Sequence, residues 1–560
     1  MKRKLVAVLL CGILAISTLA ACGSTKETDA ATKNTVEESA EEAETAEEDA
    51  TKEAEAEEAY EAGQACLYGL DGQKKDLEAA YNYFEKALEL GKAEANFYLG
   101  VLYDWESYPE QDFEKARAYY EAAGENPYAY VSLGFKNYYG QGGEVNKEKG
   151  KEYFEKAIAL GCNDGYLGLG SIAKSEEDYA AAMENYNLVV ENGTESLYVR
   201  MAMKEIALLY RDGLGVEQDG EKAIEWFEKM ALAGDSDGYN FIGVMYLNGN
   251  GVEQDYTKAK EWYEKGVEQG NAKSMANIGR LYRDGLGVEQ DGEKAIEWFE
   301  KAGLAGKSDG YNLIGEMYLN GNGVEQDYTK AKEWYEKGVE QGNANSMAHI
   351  GQFYRDGLGV EQDGAKAIEW FEKAGLAGDS NGYLLIGDMY YGGNGVEQDY
   401  TKAIEWFEKA GLAGNSDGCT CIGYMYYEGI GVEQDYTKAM EWYEKGAEMG
   451  NTTAMVNIGN FYRDGLGVEQ DGAKAIEWYE KAVEAGDSKV YSLIGYMYYE
   501  GNGVEQDYTK ALEWFEKGAG LGDVDSMGML ALMYFEGNGV EQDSEKGMEW
   551  YEKYDEAISE

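Results

Sequence analysis

Asp212-Gly213-Leu214-Gly215-Val216-Glu217-Gln218-Asp219 is the stretch whose recurrence decides the fold. Its core, Gly-Val-Glu-Gln-Asp, begins at Gly215 and returns at Gly251, Gly287, Gly323, Gly359, Gly395, Gly431, Gly467, Gly503 and Gly539, always 36 residues apart. A fixed period of this length marks a repeat architecture, one supersecondary unit copied and stacked. The unit Asp235–Gly270 shows what is copied. Ser236 and Asp237 are placed to cap a helix, and Tyr239, Ile242, Gly243 and Tyr246 follow at i, i+3, i+4 and i+7, one helical face. Asn248-Gly249-Asn250-Gly251 ends that helix, because glycine accepts the left-handed backbone that turns the chain. Asp255 stands at an N-cap position ahead of Tyr256. Ala259, Trp262, Tyr263 and Gly266 make a second apolar stripe, and Gly270 closes it. Each unit is expected to be helix, tight turn, helix, tight turn.

Small residues fall where two helices must approach. The first helix carries Gly243, Gly279, Gly315, Gly351, Gly387, Gly423, Gly459, Gly495 and Ala531 at one column, and the second carries Ala259 and Gly266. Two amphipathic helices cannot bury their apolar faces alone; stacking on the next unit does so. The Trp and Tyr stripes are therefore expected to be core packing between units. The run Ile242-Gly243-x-x-Tyr246-x-x-Gly249-x-Gly251-Val252-x-x-Asp255-x-x-Lys258-Ala259-x-x-Trp262-Tyr263-x-Lys265 resembles the Sel-1-like repeat, a relative of the tetratricopeptide repeat. The likeness extends over about Glu58–Glu560. It implies an all-α fold: a right-handed α/α superhelical solenoid of about 14 helical hairpins, mostly 36 residues each. It also implies an adaptor or binding scaffold and no chemistry.

The chain before the repeats has a different character. In 1–21, Lys2, Arg3 and Lys4 precede the apolar run Leu5–Leu19, too short to span a membrane as a stable helix, which reads as a secretory signal. Leu19-Ala20-Ala21-Cys22 resembles a bacterial lipobox, which implies that Cys22 receives lipid and becomes the mature N-terminus. Acyl chains anchor a protein without a spanning helix. The expected location is extracytoplasmic, membrane-anchored in a bacterial envelope, with the membrane met only through Cys22. Residues 22–57 carry 13 acidic and 3 basic residues and no aromatic, the composition of a disordered linker holding the solenoid off the membrane. Residues 58–193 hold four diverged units with variable loops and the only prolines, Pro109 and Pro127. One of these units, around Leu167-Gly168-Leu169-Gly170, has its loop cut short at Ser175. From 194 to 560 the copies are regular and end in a polar cap. Arg211–Tyr282 and Arg283–Tyr354 differ at 9 of 72 positions, which points to duplication two units at a time.

A net charge of −57 repels nucleic-acid phosphate and anionic headgroups, so no nucleic acid is expected as a partner, whereas a basic partner is allowed. No cofactor and no metal site are expected. In the loop from Asp212, Leu214 and Val216 occupy positions where a calcium loop needs oxygen ligands. Cys419-Thr420-Cys421 is not a Cys-x-x-Cys redox motif. The single histidine, His349, sits at a column filled elsewhere by Phe241, Asn277, Leu313, Leu385, Cys421, Asn457, Leu493 and Met529, which is no pattern for a catalytic base. Zinc-protease and phosphate-loop motifs are absent from the sequence, and the chain is expected not to be an enzyme.

Against this regular background, one column varies while its neighbours hold: Val244, Arg280, Glu316, Gln352, Asp388, Tyr424, Asn460, Tyr496 and then Leu532. The column of Asn240, Ala276, Asn312, Ala348, Leu384, Thr420, Val456 and Ser492 varies too, and i and i+4 share a helix face. The resemblance implies that first helices line the concave surface. Residues 244 to 496 of the first column are thus the expected reading surface for a protein or peptide partner. The alternative is a protein that binds glycans or peptidoglycan fragments through a tyrosine-lined groove.

Overall fold

The computed structural model describes residues 31–69, 75–105, 108, 111–193 and 196–559. These form 28 helices, from Ala31–Tyr68 to Ser544–Ser559, and no strand among the described residues. The chain divides into two compact units, Met1–Trp226 and Phe227–Glu560, each built of antiparallel helical hairpins. The signal segment 1–21 and Cys22 lie outside the described residues. The acidic stretch 22–57, expected as a disordered linker, differs from Ala31 onward, where it is the first part of the helix Ala31–Tyr68. Alanine and glutamate are strong helix formers and no glycine or proline interrupts them there. Towards its end this helix joins the first hairpin, with Ala56 and Ala59 buried and Glu57 Oε2 2.7 Å from Lys92 Nζ.

In the second unit the hairpin of Asp237–Asn248 and Tyr256–Glu268 shows how the repeated motif works. Gly249 stops the first helix in the left-handed conformation, φ 74°. Gln254 Nε2 then donates to the Leu247 carbonyl at 2.8 Å, satisfying an orphan acceptor of the helix end. The Asp255 amide donates to the Tyr246 carbonyl at 2.8 Å, and Asp255 Oδ1 accepts from the amides of Thr257 and Lys258, each at 3.0 Å. Gln and Asp of the motif thus fasten the end of one helix and the start of the next. The glutamine bond recurs from Gln218 to Gln542 at 2.6–2.8 Å. Ser236 behaves otherwise than expected: it is helical and makes no cap, while Asp235 Oδ1 accepts from the Asp237 amide. The Ser236 hydroxyl instead accepts from Asn271 Nδ2 of the next repeat at 3.1 Å, and Asn271 also donates to Asp237 Oδ1 at 2.8 Å. Asn343 and Asn451 repeat this link between neighbouring repeats.

The glycine column is the centre of most hairpins. A methyl group at Gly243 would sit 2.3 Å from Cε1 of Tyr263, and at Gly315 it would sit 2.4 Å from Tyr335. The same approach joins Gly279 to Phe299, Gly351 to Phe371, Gly387 to Phe407, Gly423 to Tyr443, Gly459 to Tyr479 and Gly495 to Phe515. These rings are almost wholly buried. In the last hairpin Ala531 replaces glycine, and Tyr551, the matching ring, is 48% exposed. The tryptophans depart from the core expectation: Trp262 is only half-buried, stacked on Tyr239 at 6.0 Å with Lys265 Nζ 3.3 Å from its ring centre. Such an exposed ammonium–ring contact contributes about 0.5–1 kcal/mol.

The first unit keeps the ring-on-glycine contact at Gly63, Gly100, Gly134 and Gly170, which meet Phe84, Tyr120, Phe154 and Tyr186. Its loops diverge. Gly165–Ser175 and Tyr179–Asn192 are joined by three residues without the Gly-Val-Glu-Gln-Asp joint, and Glu177, φ 61°, is the one non-glycine residue with positive φ among the described residues. Lys136 is 1% exposed, its Nζ 2.5 Å from Asp104 Oδ1 and 4.5 Å from the Phe113 ring centre.

Two consequences can be measured. Gly315→Ala drives a methyl into the Tyr335 ring, so the local opening free energy of 308–343 by hydrogen exchange is expected to fall by about 1–3 kcal/mol. The Tyr335 hydroxyl is buried with no hydrogen-bond partner among the described residues, and sister positions carry Phe. Tyr335→Phe is therefore expected to be neutral or stabilising, whereas Tyr479→Phe, which removes a 2.7 Å bond to Asn460 Oδ1, costs about 1 kcal/mol in urea unfolding.

Candidate interaction face

The variable column lies on the first helices, one residue past the buried glycine. Arg280, Asp388, Tyr424, Tyr496 and Leu532 are exposed, and Val244, Glu316, Gln352 and Asn460 are half-buried. The companion column is different from expectation. Asn240, Ala276, Asn312, Ala348 and Ser492 are buried, because a side chain four residues earlier on the helix meets the next hairpin. Asn240 Oδ1 accepts from Asn277 Nδ2 at 2.8 Å and Asn312 Oδ1 accepts from Ser346 Oγ at 3.3 Å. Variation there follows packing between repeats.

The exposed column itself splits in two. Four of its members are engaged inside the protein. Arg280 Nη1 donates to Asn277 Oδ1 at 2.7 Å. Asn312 Nδ2 donates to Glu316 Oε1 at 2.7 Å, and His349 Nε2 lies 3.6 Å from the same oxygen. His349 Nδ1 is 3.2 Å from Gln352 Oε1, and its ring stacks on Tyr335 at 4.6 Å. The His349 imidazole beside it holds the Glu316 carboxyl below the usual carboxylate range, against burial. Asn460 accepts from Tyr479. Asp388 and Tyr424 have no hydrogen bond, ion pair or ring contact among the described residues. Tyr496 lies between the two groups, its ring edge-on to Phe515 at 5.5 Å.

Asp388 and Tyr424 border one open cavity of about 370 Å³, walled by Tyr391, Phe407, Cys421 and Met425. Tyr424 also borders a smaller cavity of about 170 Å³ with Tyr427, Asn460 and Arg463. Burial pushes the Asp388 carboxyl up; Arg355, forked onto Asp356, pulls it down, and Asp417 raises it. Burial pushes the Cys421 thiol up to about 12, with Asp388 and then Asp417 adding to it. Cys66, Cys162, Cys419 and Cys421 are free thiols. Among the described residues no three His, Cys, Asp or Glu side chains converge as a metal site. In the Asp212–Asp219 loop the two aspartates are already engaged, Asp212 by the Arg211 fork at 2.7 Å and Asp219 by the Lys222 amide at 3.0 Å. In the first unit a second cavity of about 420 Å³ is bordered by Phe97, Tyr98, Asp104, Trp105, Tyr120 and Tyr198. Sequence reasoning missed it because the loops of that unit break the period.

The family model described as the Sel1 repeat matches thirteen segments, at residues 59–92, 93–128, 127–162, 200–235, 236–271, 272–307, 308–343, 344–379, 380–415, 418–451, 452–487, 489–523 and 524–553. The chain belongs to the Sel1 repeat family. Between the Sel1 repeats that end at 162 and resume at 200 lies the short-looped hairpin of Gly165–Ser175 and Tyr179–Asn192. Among solved structures, a protective antigen of uropathogenic Escherichia coli displaying an SLR fold is 27% identical over 86% of this chain and 94% of that one, TM-score 0.36. A Sel1 repeat protein from Oxalobacter formigenes is 28% identical over 56% and 89%, TM-score 0.38. Yeast Tom70 is 15% identical over 90% and 96%, TM-score 0.34. No curated protein matches the chain.

The cavity makes a chemical forecast. Iodoacetamide at about pH 8.5 is expected to alkylate Cys421 far more slowly than a free thiol, and Asp388→Asn to speed it several-fold, since removing the neighbouring carboxylate lowers the thiol pKa. Peptide mapping by mass spectrometry after timed labelling reads both rates.

Proposed function

We propose that this Sel1 repeat protein is a non-enzymatic scaffold, tethered to a bacterial cell envelope through lipid on Cys22, that binds a protein or peptide through the first-helix face of its second unit. One observation carries the reading. Along the column 244 to 496 the residue changes from repeat to repeat while the flanking Ile and Gly positions stay fixed and buried. Fixed positions hold the stack together, and a changing exposed position supplies recognition. Asp388 and Tyr424, open to solvent and without partners among the described residues, are the stations at which a ligand meets this face. The lipid tether rests on the basic start, the short apolar run and Leu19-Ala20-Ala21-Cys22.

Proximity crosslinking from the full chain on intact cells, followed by mass spectrometry, tests the reading. Recovery of one or a few envelope or secreted proteins is expected. Wall glycan without protein would indicate a sugar-binding role, and recovery of cytoplasmic proteins alone would overturn the tether. Tyr424→Ala is expected to reduce the captured partner about tenfold and to change stability by less than about 0.5 kcal/mol. Tyr496→Ala gives up its edge contact with Phe515 and is expected to cost about 0.5–1.5 kcal/mol.

A further inference from the structure

The period of 72 residues sets two carboxylates in matching places. Glu316 in one repeat pair corresponds to Asp388 in the next, His349 corresponds to Cys421, and Asn312 corresponds to Leu384. At the first place the carboxylate is held by Asn312 and His349. At the second both donors are gone, and no hydrogen bond or ion pair among the described residues replaces them. A cavity of about 370 Å³ opens in front of Asp388, with the Cys421 thiol on its border where the earlier pair has the His349 imidazole. Its border carries no lysine or arginine, and its aromatic groups are Tyr391, Phe407 and Tyr424.

Elsewhere the chain fills such an arrangement with its own lysines. Lys136 is buried between Asp104 and the Phe113 ring. Lys258 Nζ stands 3.9 Å from Asp255 Oδ2 and 5.1 Å from the Tyr246 ring centre, and the same triad recurs at Lys330, Lys402, Lys438 and Lys474. A carboxylate beside aromatic rings binds an alkylammonium by charge and by the ring quadrupole, and an apolar wall takes the methylene stem.

We infer that the Asp388 cavity receives a lysine side chain from a basic partner, the ammonium on the Asp388 carboxylate between the Tyr391 and Tyr424 rings, and the stem against Phe407 and Met425. The inference rests on the scaffold reading above and names the chemistry its partner presents. The formal charge of −57 complements such a partner and speeds its approach, while the cavity fixes where one lysine seats.

The test is fluorescence anisotropy of the purified full chain with a fluorescein-labelled peptide of alternating glycine and lysine, at about 0.15 M salt, where diffuse attraction is screened. A peptide with glutamine in place of lysine is the control. Asp388→Asn and Tyr424→Ala are each expected to weaken binding about tenfold. Glu261→Gln removes an exposed charge from a second helix and is expected to leave it unchanged. The double variant Leu384→Asn with Cys421→His restores the chain's own donors and is expected to weaken the peptide as well. Thermal unfolding of each variant checks that the repeat stays folded. If Asp388→Asn and Tyr424→Ala bind the peptide as Glu261→Gln does, the lysine pocket is overturned and the attraction is diffuse. If those variants nevertheless lose the partner captured by crosslinking, the scaffold reading stands and the occupant has a different chemistry. Selective loss of peptide from chains that capture no protein on cells supports the pocket and overturns the scaffold reading.

Discussion

An aromatic ring pressed against a small residue, glycine in most repeats, holds the hairpins together. Where the first helix carries glycine the approach is too close for an added Cβ, and the second helix carries Phe or Tyr at the facing position; the hairpin with Ala207 in this column takes a methyl while its ring, Phe227, stays buried. Helices at this distance bring their other small residues together as well: Ala259 is fully buried, and a methyl on Gly266 would meet Ser274 Oγ of the next repeat at 2.3 Å. Everything else in a repeat is arranged around that closeness. The column is alanine again at Ala531, where the facing Tyr551 is 48% exposed.

The most conspicuous motif in the chain is a fastening. Gly-Val-Glu-Gln-Asp looks like a loop with chemistry, because it is acidic, glycine-rich and repeated. Its Gln closes the carbonyl end of one helix, its Asp opens the amide end of the next, and neither is left over for a ligand. Recognition falls instead to the residues that do not repeat, as a regular scaffold leaves only its irregularities free to carry information.

The repeat, the turn glycines, the N-cap aspartates and the small-residue columns were legible because each obeys a local rule that 36-residue spacing repeats ten times or nearly so. The capping role assigned to Ser236 was misread because its hydroxyl partner, Asn271, is 35 residues away and invisible to local spacing. Position 240 looked like its i+4 neighbour on a helical wheel, yet one is buried by the next hairpin and the other is not. The tryptophans read as core because they are apolar, whereas an indole can be half-covered by a tyrosine face and a lysine stem. The helix Ala31–Tyr68 hid behind its charge: composition announced solvation, and alanine and glutamate also favour a helix. The Asp388 cavity became visible only when its missing donors were compared with those of the preceding pair.

Identical joints have a cost in folding order. The contact of Gly243 with Tyr263 is almost the same as that of Gly315 with Tyr335, and the helices Tyr256–Glu268 and Tyr328–Glu340 have the same sequence. A half-formed hairpin therefore fits a distant copy about as well as its neighbour, and only the covalent tether favours the right match by proximity. Wrong pairings two repeats out of step, and exchange of hairpins between chains, are the traps such a sequence sets for itself. The same sameness makes its length editable: excising one 72-residue pair rejoins surfaces that already match, so the stack can lose or gain a pair while keeping its interfaces.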